Sequence, residues 1–171
     1  MNKILALDPS LSSTGYALIN SEDLSILTKG RIITKKDKVF DNTDDRIQDI
    51  VYFFNDYPIF NDLDAVILED GFIGKNIKGS MNLAQLRGAL ISFFKYRKYN
   101  VLHMQPKEIR KNFRLPGNAT KEQVATEVLK YYPDLISDIG PYSDKSNKNK
   151  TSDIYDAIAT GLSYIINLKG W

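Results

Sequence analysis

The sequence predicts an α/β fold, and three observations lead to that prediction. Apolar runs of strand length near the amino terminus are separated by short turns, which is typical of consecutive antiparallel strands. Later apolar runs alternate with longer segments whose apolar residues recur at helical spacing. With 171 residues, no internal repeat and no sign of a second domain, the chain is expected to form one domain over residues 1–171.

The amino-terminal half is predicted to contain a meander of strands and one helix. Its elements are three strands over residues 3–7, 16–20 and 24–34, a helix over 44–57 and a strand over 64–68. Each strand is an apolar run that ends at turn-forming residues, such as Asp8 and Pro9 after the first. The helix is indicated by Ile47, Ile50 and Phe54, which recur at helical spacing.

The carboxyl-terminal half is predicted to alternate between helices and one further strand. Its elements are a helix over 80–96, a strand over 100–104, a short helix from 106, a helix over 120–131, a polar loop over 134–150 and a last helix from 151 to about 168. Ser80 suits the N-cap of the first of these helices, and Pro106 suits the first turn of the next. This order predicts a five-stranded mixed sheet, three antiparallel strands followed by parallel ones, with helices on both faces.

Composition excludes several classes of site. The chain has no cysteine, so disulfides and thiolate metal sites are excluded. It shows no signal-peptide pattern and no apolar stretch of the roughly 18 residues that a membrane span needs. We therefore expect a soluble, cytoplasmic protein that does not act at a membrane.

The charges are distributed unevenly, although the net charge is only +2. Residues 41–70 hold nine Asp and Glu against one basic residue, whereas residues 71–150 hold fifteen Lys and Arg against six acids. Such asymmetry indicates a basic face for a polyanion beside an acidic region, with ordinary solvated charge as the alternative.

Four acidic residues are candidates for one site. Asp8 and Glu69 end the first and fourth predicted strands, where side chains are held rigidly beside open space. Asp153 and Asp156 lie three residues apart near the start of the last helix, so they share one face. Because Ala157 is small, that helix is able to lie close to the sheet. If this face meets the two strand ends, four carboxylates converge.

A cluster of four carboxylates predicts divalent metal, because like charges repel unless cations neutralise them. Oxygen ligands favour Mg²⁺ or Mn²⁺ over zinc, and two ions about 3.5–4 Å apart support phosphodiester hydrolysis. Structural roles stay open, since Asp8 before a proline also forms turns and Asp153 also suits a helix start. Asp70 is expected to be a solvated neighbour of Glu69 that points the other way.

Basic and aromatic residues supply candidates for contact with nucleic acid. Five basic residues on two short predicted helices are Lys107, Arg110, Lys111, Arg114 and Lys121. Such a patch binds phosphates by charge, and a solvated helix face is the alternative. Phe72 lies in a glycine-flanked loop, where it either wedges between base pairs or anchors the loop in the core. His103 is expected to be structural.

Six motifs together resemble one family. In chain order they are ILALDPSLSSTGYAL, VILEDGF, LAQLRGAL, QPKEIRK, GNATKEQV and SDIYDAIATGL. This set resembles the RuvC family of Holliday-junction resolvases, and the length and composition resemble a bacteriophage-encoded member from a low-GC Gram-positive, lactococcal-like host. The resemblance implies a ribonuclease H-like fold, and a homodimer that nicks two opposed strands of a four-way DNA junction.

The resemblance also implies roles for individual residues. It implies catalytic, metal-binding carboxylates at the four acids, which are Asp8, Glu69, Asp153 and Asp156. It implies that Phe72 works near the junction centre, that Lys107 contacts the DNA backbone, and that Lys121 lies near the scissile phosphate. The sequence departs from the family pattern at Ser10, where a glycine is usual, and over residues 134–150.

The helix predicted from Ser80 to Tyr96 is the candidate dimer interface. Leu83, Leu86, Leu90 and Phe93 form its apolar stripe, and Met81, Ile91 and Phe94 are expected outside that stripe. Gly88 would let a partner helix approach closely. Burial within the monomer is the alternative, and the resemblance implies that the equivalent helix forms a dimer.

Three other functions fit parts of the sequence. A nuclease for RNA–DNA hybrids, or a debranching nuclease with loose specificity, would use the same metal site. A non-catalytic junction-binding module needs the basic surface but not four acids, which argues against it. An actin-like or sugar-kinase ATPase opens with a similar strand and Asp, but it needs a second domain that 171 residues do not provide.

Overall fold

The five predicted strands form one sheet in the computed structural model, which describes residues 3–34, 42–71, 76–143 and 151–170. The strands are β1 (Lys3–Asp8), β2 (Ser13–Asn20), β3 (Ile26–Ile33), β4 (Ala65–Glu69) and β5 (Asn100–Met104). Their order across the sheet is β3-β2-β1-β4-β5. Pairs β1–β2 and β2–β3 are antiparallel, whereas β1–β4 and β4–β5 are parallel. The predicted mixed sheet is confirmed.

Helices cover both faces of this sheet. They are α1 (Thr43–Asp56), α2 (Ile77–Tyr96), α3 (Pro106–Asn112), α4 (Lys121–Tyr131), α5 (Leu135–Ile139) and α6 (Ser152–Lys169), with a 3-10 turn at Pro58–Phe60. Helices α1 and α2 pack in one apolar cluster, and α3, α4 and α6 pack in the other. The core therefore has two layers separated by the sheet.

Strand alternation decides which face each strand-terminal acid joins. Ile4 and Ala65 belong to the layer under α6, whereas Leu5 and Val66 belong to the layer under α1 and α2. Continuing the same alternation places Asp8 and Glu69 on the α6 side of the sheet. Both acids thus end neighbouring parallel strands on the face that carries the last helix.

Helix α6 lies close against the sheet, and two glycines allow the approach. A Cβ atom on Gly161 would stand 2.9 Å from the Cβ of Ala6 and from the Cδ1 of Ile19. A Cβ on Gly15 would stand only 1.9 Å from the carbonyl oxygen of Asp153. The start of α6 therefore rests directly on β2, beside the end of β1.

Three sequence predictions about elements are wrong in detail. Helix α2 begins at Ile77 with Asn76 as its cap, because the Asn76 side chain accepts a hydrogen bond from the Gly79 N–H at 3.0 Å, so Ser80 lies within the helix. The predicted loop over 134–150 includes α5, whose Leu135 is buried; residues 144–150 lie outside the described residues. Phe94 is fully buried among the α1–α2 layer rather than outside the apolar stripe.

In the part of the chain that the structure describes, no helix is both long enough and apolar enough to cross a membrane.

Candidate active site

A cleft of about 320 Å³ opens at the carboxyl ends of β1 and β4. Three of the four predicted acids line it, together with two of the predicted basic residues. These five residues are Asp8, Glu69, Asp156, Arg110 and Lys121. The structure thus brings together side chains from β1, β4, α3, α4 and α6, which are far apart in the sequence.

Strand pairing places two of the carboxylates side by side. Leu7 of β1 pairs with Leu68 of β4, so Asp8 and Glu69 are the next residues of two neighbouring parallel strands. Asp156 joins them from the second turn of α6. Thr160, one turn further along that helix and fully buried, donates to the Asp156 carbonyl at 2.9 Å, and its hydroxyl lies close enough to the Glu69 carboxyl to lower the pKa of that group.

The cleft concentrates negative charge. Burial raises the pKa of the Asp8 carboxyl well above its ordinary value, and the nearby charges of Glu69 and Asp156 raise it further. Burial, and then the charge of Asp156, raises the pKa of Glu69 to about 7. The protein alone therefore does not stabilise three ionised carboxylates here at neutral pH, and an added cation would.

Lys121 places a positive charge among these acids. It is the first residue of α4, which Thr120 caps by accepting from the Gln123 N–H, and its ammonium group forms an ion pair with Asp156. Burial lowers the pKa of Lys121, but the negative charges of Asp156, Asp8 and Glu69 together raise it above the ordinary value.

Asp153 lies beside the cleft but not in its lining. Its carboxylate is buried and accepts a hydrogen bond from the Ser13 hydroxyl at 2.5 Å, with the Ser152 hydroxyl 3.3 Å from its other oxygen. Its charge still contributes to the raised pKa of Asp8. Of the four acids that were predicted to converge, three therefore line the cleft, and Asp153 packs beside it against β2.

The donor set of the cleft suits a hard divalent cation. Carboxylate oxygens are the ligands that Mg²⁺ and Mn²⁺ prefer, and a bound cation would favour the ionised forms of Asp8 and Glu69, whose pKa values are raised first by burial and then by neighbouring carboxylates. In this conformation, no three acidic or histidine side chains among the described residues are arranged to hold an ion together. The Lys121 ammonium group instead contacts Asp156. The chemistry of these residues therefore fits a divalent metal, and the Lys121 ammonium group competes with the metal for the Asp156 carboxylate.

The other predicted DNA-binding residues differ in whether they line the cleft. Arg110 lines the cleft and donates to the Ala119 carbonyl at 2.8 Å. Lys107 and Lys111 are exposed on α3 without lining the cleft, and Arg114 lines a separate cavity of about 630 Å³. Phe72 lies outside the described residues.

Arg87 of α2 is a site-associated residue that sequence reasoning missed. Its guanidinium donates to the Glu69 carbonyl and to the Asp70 carboxylate, the latter at 2.6 Å, and it lies 3.0 Å from the Nδ1 of His103. Asp70 is therefore an ion-pair partner that lines the cleft rather than a solvated neighbour. The only signal in the sequence was a single arginine in the otherwise uncharged segment LAQLRGAL.

Comparison with known protein families identifies the family of this chain. Residues 4–163 match the family model described as crossover junction endodeoxyribonuclease RuvC. Curated proteins of that name are similar over nearly the whole chain. The chain is 32% identical to the one from Helicobacter pylori over 169 residues, covering 98% of both chains. It is 29% identical to the one from Dictyoglomus thermophilum over 175 residues, with the same coverage.

Solved structures share the fold at low sequence identity. The Thermus thermophilus RuvC in complex with a Holliday junction substrate superposes with a TM-score of 0.75, at 15% identity, over 99% of this chain and 96% of that one. A Fowlpox virus resolvase in complex with Holliday junction DNA superposes with a TM-score of 0.59, at 18% identity, over 97% and 98%. These likenesses confirm the predicted ribonuclease H-like fold.

Proposed function

The chain belongs to the RuvC family of crossover junction endodeoxyribonucleases, and we propose that it resolves four-way DNA junctions by paired, symmetric nicks. The observation that carries this proposal is the convergence of Asp8, Glu69 and Asp156 with Lys121 in one cleft at the carboxyl edge of the sheet. Residues 1–171 would act as one nuclease domain.

The proposed cofactor is Mg²⁺, for which Mn²⁺ would substitute, with two ions in each active site. Asp8, Glu69 and Asp156 would hold the metal. Asp153 would bind it after giving up the hydrogen bond that it accepts from Ser13. Bound there, the metal would supply a polarised water and would stabilise charge on the leaving oxygen. The chain itself positions the carboxylates through Thr160 and through the packing of α6 on β2.

Lys121 has a separate role in the proposed mechanism. A phosphate that enters the cleft competes with Asp156 for the Lys121 ammonium group, which is only partly covered by protein. Once it contacts the phosphate, this ammonium group opposes the negative charge that grows on the phosphate oxygens in the transition state. Arg110, in the same lining, would hold the phosphate through charge-assisted hydrogen bonds.

We also propose a symmetric dimer through α2, because a junction has two equivalent strands to cut. One side of α2 carries Ile77, Met81, Ala84, Gly88 and Ile91, whose alternating spacing of four and three residues is that of a coiled-coil seam. Ile77 is 73% exposed and Met81 is 61% exposed, and a Cβ on Gly88 would meet nothing within 4 Å. This seam, rather than the buried Phe94, is the proposed interface.

The proposal includes a source and a place of action. The Lys-, Asn- and Tyr-rich composition supports a bacteriophage-encoded protein from a low-GC Gram-positive, lactococcal-like host. Branched DNA formed during phage replication or recombination in the host cytoplasm would be its substrate.

A direct assay tests the function. The protein is incubated with labelled four-way junction, linear duplex and RNA–DNA hybrid, each with and without Mg²⁺. Metal-dependent paired nicks in the junction alone support the proposal. Preferential cutting of the hybrid would identify a ribonuclease H-like activity instead, and junction binding without cutting in any metal would identify a binding module.

A further inference from the structure

We propose that a groove next to the active-site cleft binds a second phosphate of the DNA strand that is cut, beside the scissile one. The groove has a volume of about 330 Å³, and its lining includes Ser10, Ser12, Arg46 and Asn82. This inference rests on the proposed function, because it assigns a subsite to the same substrate.

The groove adjoins the cleft. Pro9 and Leu83 line both spaces, and Pro9 directly follows Asp8 in the chain. A DNA strand carries one phosphate per about 3.4 Å of helix axis. A strand whose scissile phosphate lies beside Asp8 therefore carries a neighbouring phosphate past Pro9. The groove is the space next to Pro9 on the side of α1 and α2.

The lining of the groove has the chemistry of an anion site. Among the described residues that line it, Arg46 carries the only charge and none is acidic, in contrast to the acid-rich cleft. The Ser10 and Ser12 hydroxyls lie 3.4 Å from each other, and the Asn82 side chain adds an amide donor. Hydroxyl, amide and guanidinium donors together are the groups that bind phosphate oxygens.

Arg46 is held in place by neutral groups. Its Nη2 donates to the carbonyls of Leu11 at 3.0 Å and Thr34 at 2.7 Å, and its Nε donates to the Thr34 hydroxyl at 3.2 Å. Within the described part of the chain no carboxylate forms an ion pair with it. The guanidinium is thus oriented by neutral groups and has no ion-pair partner among the described residues, which suits it to receive an anion without rearrangement.

Ser10 gives this chain a donor that the resemblance did not imply. The serine at this position contributes a hydroxyl to the groove, whereas the glycine that the resemblance would imply here has no side-chain donor. The turn itself is fixed, because the buried Thr14 hydroxyl donates to the Ser10 carbonyl at 2.8 Å and accepts from the Ser10 N–H at 3.3 Å. The departure from the family pattern therefore adds a contact without loosening the turn beside Asp8.

Introducing a negative charge into the groove tests the site, and an Asn→Asp substitution outside the groove is the control. Asn82→Asp and Ser12→Asp each place a carboxylate in the groove from a different element. Asn55→Asp makes the same change on the exposed end of α1, about 13 Å along the helix axis from Arg46. Junction binding is measured with Ca²⁺ in place of Mg²⁺, and sedimentation and thermal melting check assembly and folding. Both groove variants should bind on the order of tenfold more weakly than Asn55→Asp, because opposed like charges disfavour the complex.

Neutral phosphates then locate the contact. Junctions carrying a single methylphosphonate at each position flanking the nick are titrated with the wild type, Asn82→Asp and Asn55→Asp. At one flanking position the methylphosphonate should weaken wild-type binding and abolish the penalty of Asn82→Asp. A penalty that persists with every methylphosphonate, or groove variants that bind like Asn55→Asp while the wild type still nicks the junction, would overturn the subsite alone. A wild-type chain that neither binds nor nicks junctions overturns the proposed function.

Discussion

Lys121 and Asp156 form an ion pair at the centre of the acidic cleft, with Asp8 and Glu69 close enough to add to its electrostatics. The pair joins the first residue of α4 to the second turn of α6. It satisfies part of the negative charge of the cleft from within the chain, and it places the ammonium group where a phosphate would enter.

Removing that ammonium group should slow the reaction more than it weakens binding. For Lys121→Ala we expect a fall in the cleavage rate on the order of 10²-fold, because the lost contact opposes charge that develops in the transition state. Lys111→Ala, on the exposed face of α3, should mainly weaken junction binding. Single-turnover rates and dissociation constants separate the two effects. Equal changes in both quantities for both variants would remove the distinction between these lysines.

The raised pKa of Glu69 predicts how stability depends on pH without metal. An acid whose pKa is near 7 when folded and about 4.5 when unfolded binds more protons in the folded state between these values. The free energy of unfolding should therefore fall as the pH rises from 5 to 7.5, by about 1 to 3 kcal/mol after allowance for the open side of the cleft. Asp8 should act in the same direction.

Chemical denaturation across this pH range checks the prediction. Glu69→Gln should flatten the dependence, and Mg²⁺ should restore stability to the wild type at pH 7.5 because it binds the ionised carboxylates. Stability that rises across the range, or that depends on pH equally in Glu69→Gln, would show that folding does not raise the pKa of Glu69.

Arg87 is predicted to position Glu69 without touching substrate. Because its guanidinium contacts the Glu69 carbonyl and the Asp70 carboxylate, Arg87→Ala should raise the Mg²⁺ concentration needed for half-maximal cleavage by roughly tenfold. Arg87→Lys should recover part of this loss, since it keeps the charge but not the forked geometry. Metal binding followed directly, with Mn²⁺ as the probe, should shift in parallel. A loss of thermal stability with unchanged metal binding would limit Arg87 to a structural role.

Two residues of α2 separate the dimer seam from the core. Met81→Glu should give a folded monomer that binds junctions poorly and loses paired nicking, because Met81 is 61% exposed and the substitution puts a charge in the seam. Phe94→Glu should instead destabilise the fold by several kcal/mol, because Phe94 is fully buried. Sedimentation velocity and thermal melting distinguish the two results. A wild type that is monomeric at micromolar concentration and still nicks both strands in concert would refute the seam.

The strand-end acids could be predicted because strand alternation is local. An apolar run that ends at an acid locates that acid at a strand end, and this holds for Asp8 and for Glu69. The face of α6 also follows from spacing, which brought Asp156 to the cleft. Spacing did not show that Ser13 holds Asp153 aside, because that hydrogen bond joins residues 140 positions apart.

Predictions about α2 failed where tertiary packing decides between apolar stripes. Phe93 and Phe94 are adjacent in the sequence, and helical spacing alone favoured Phe93 for the core stripe, but Phe94 packs among the aromatic rings of α1. The start of the helix was misplaced because Ser80 and Asn76 are both good caps. Arg87 was missed because the sequence around an arginine on a helix does not show which carbonyl in the fold its side chain contacts.

The most direct test of the central claim is the activity of variants in the cleft acids. Asp8→Asn, Glu69→Gln and Asp156→Asn each keep the side-chain shape and remove a charge that would bind metal, while Asp49→Asn makes the same change at a half-buried position of α1 that does not line the cleft. A metal ligand contributes several kcal/mol, so we predict a loss of Mg²⁺-dependent junction cleavage of roughly 10² to 10³-fold for the three cleft variants. Junction binding in Ca²⁺ should be retained, and Asp49→Asn should cut like the wild type. Full cleavage by the cleft variants, or cleavage by the wild type in EDTA, would contradict the account.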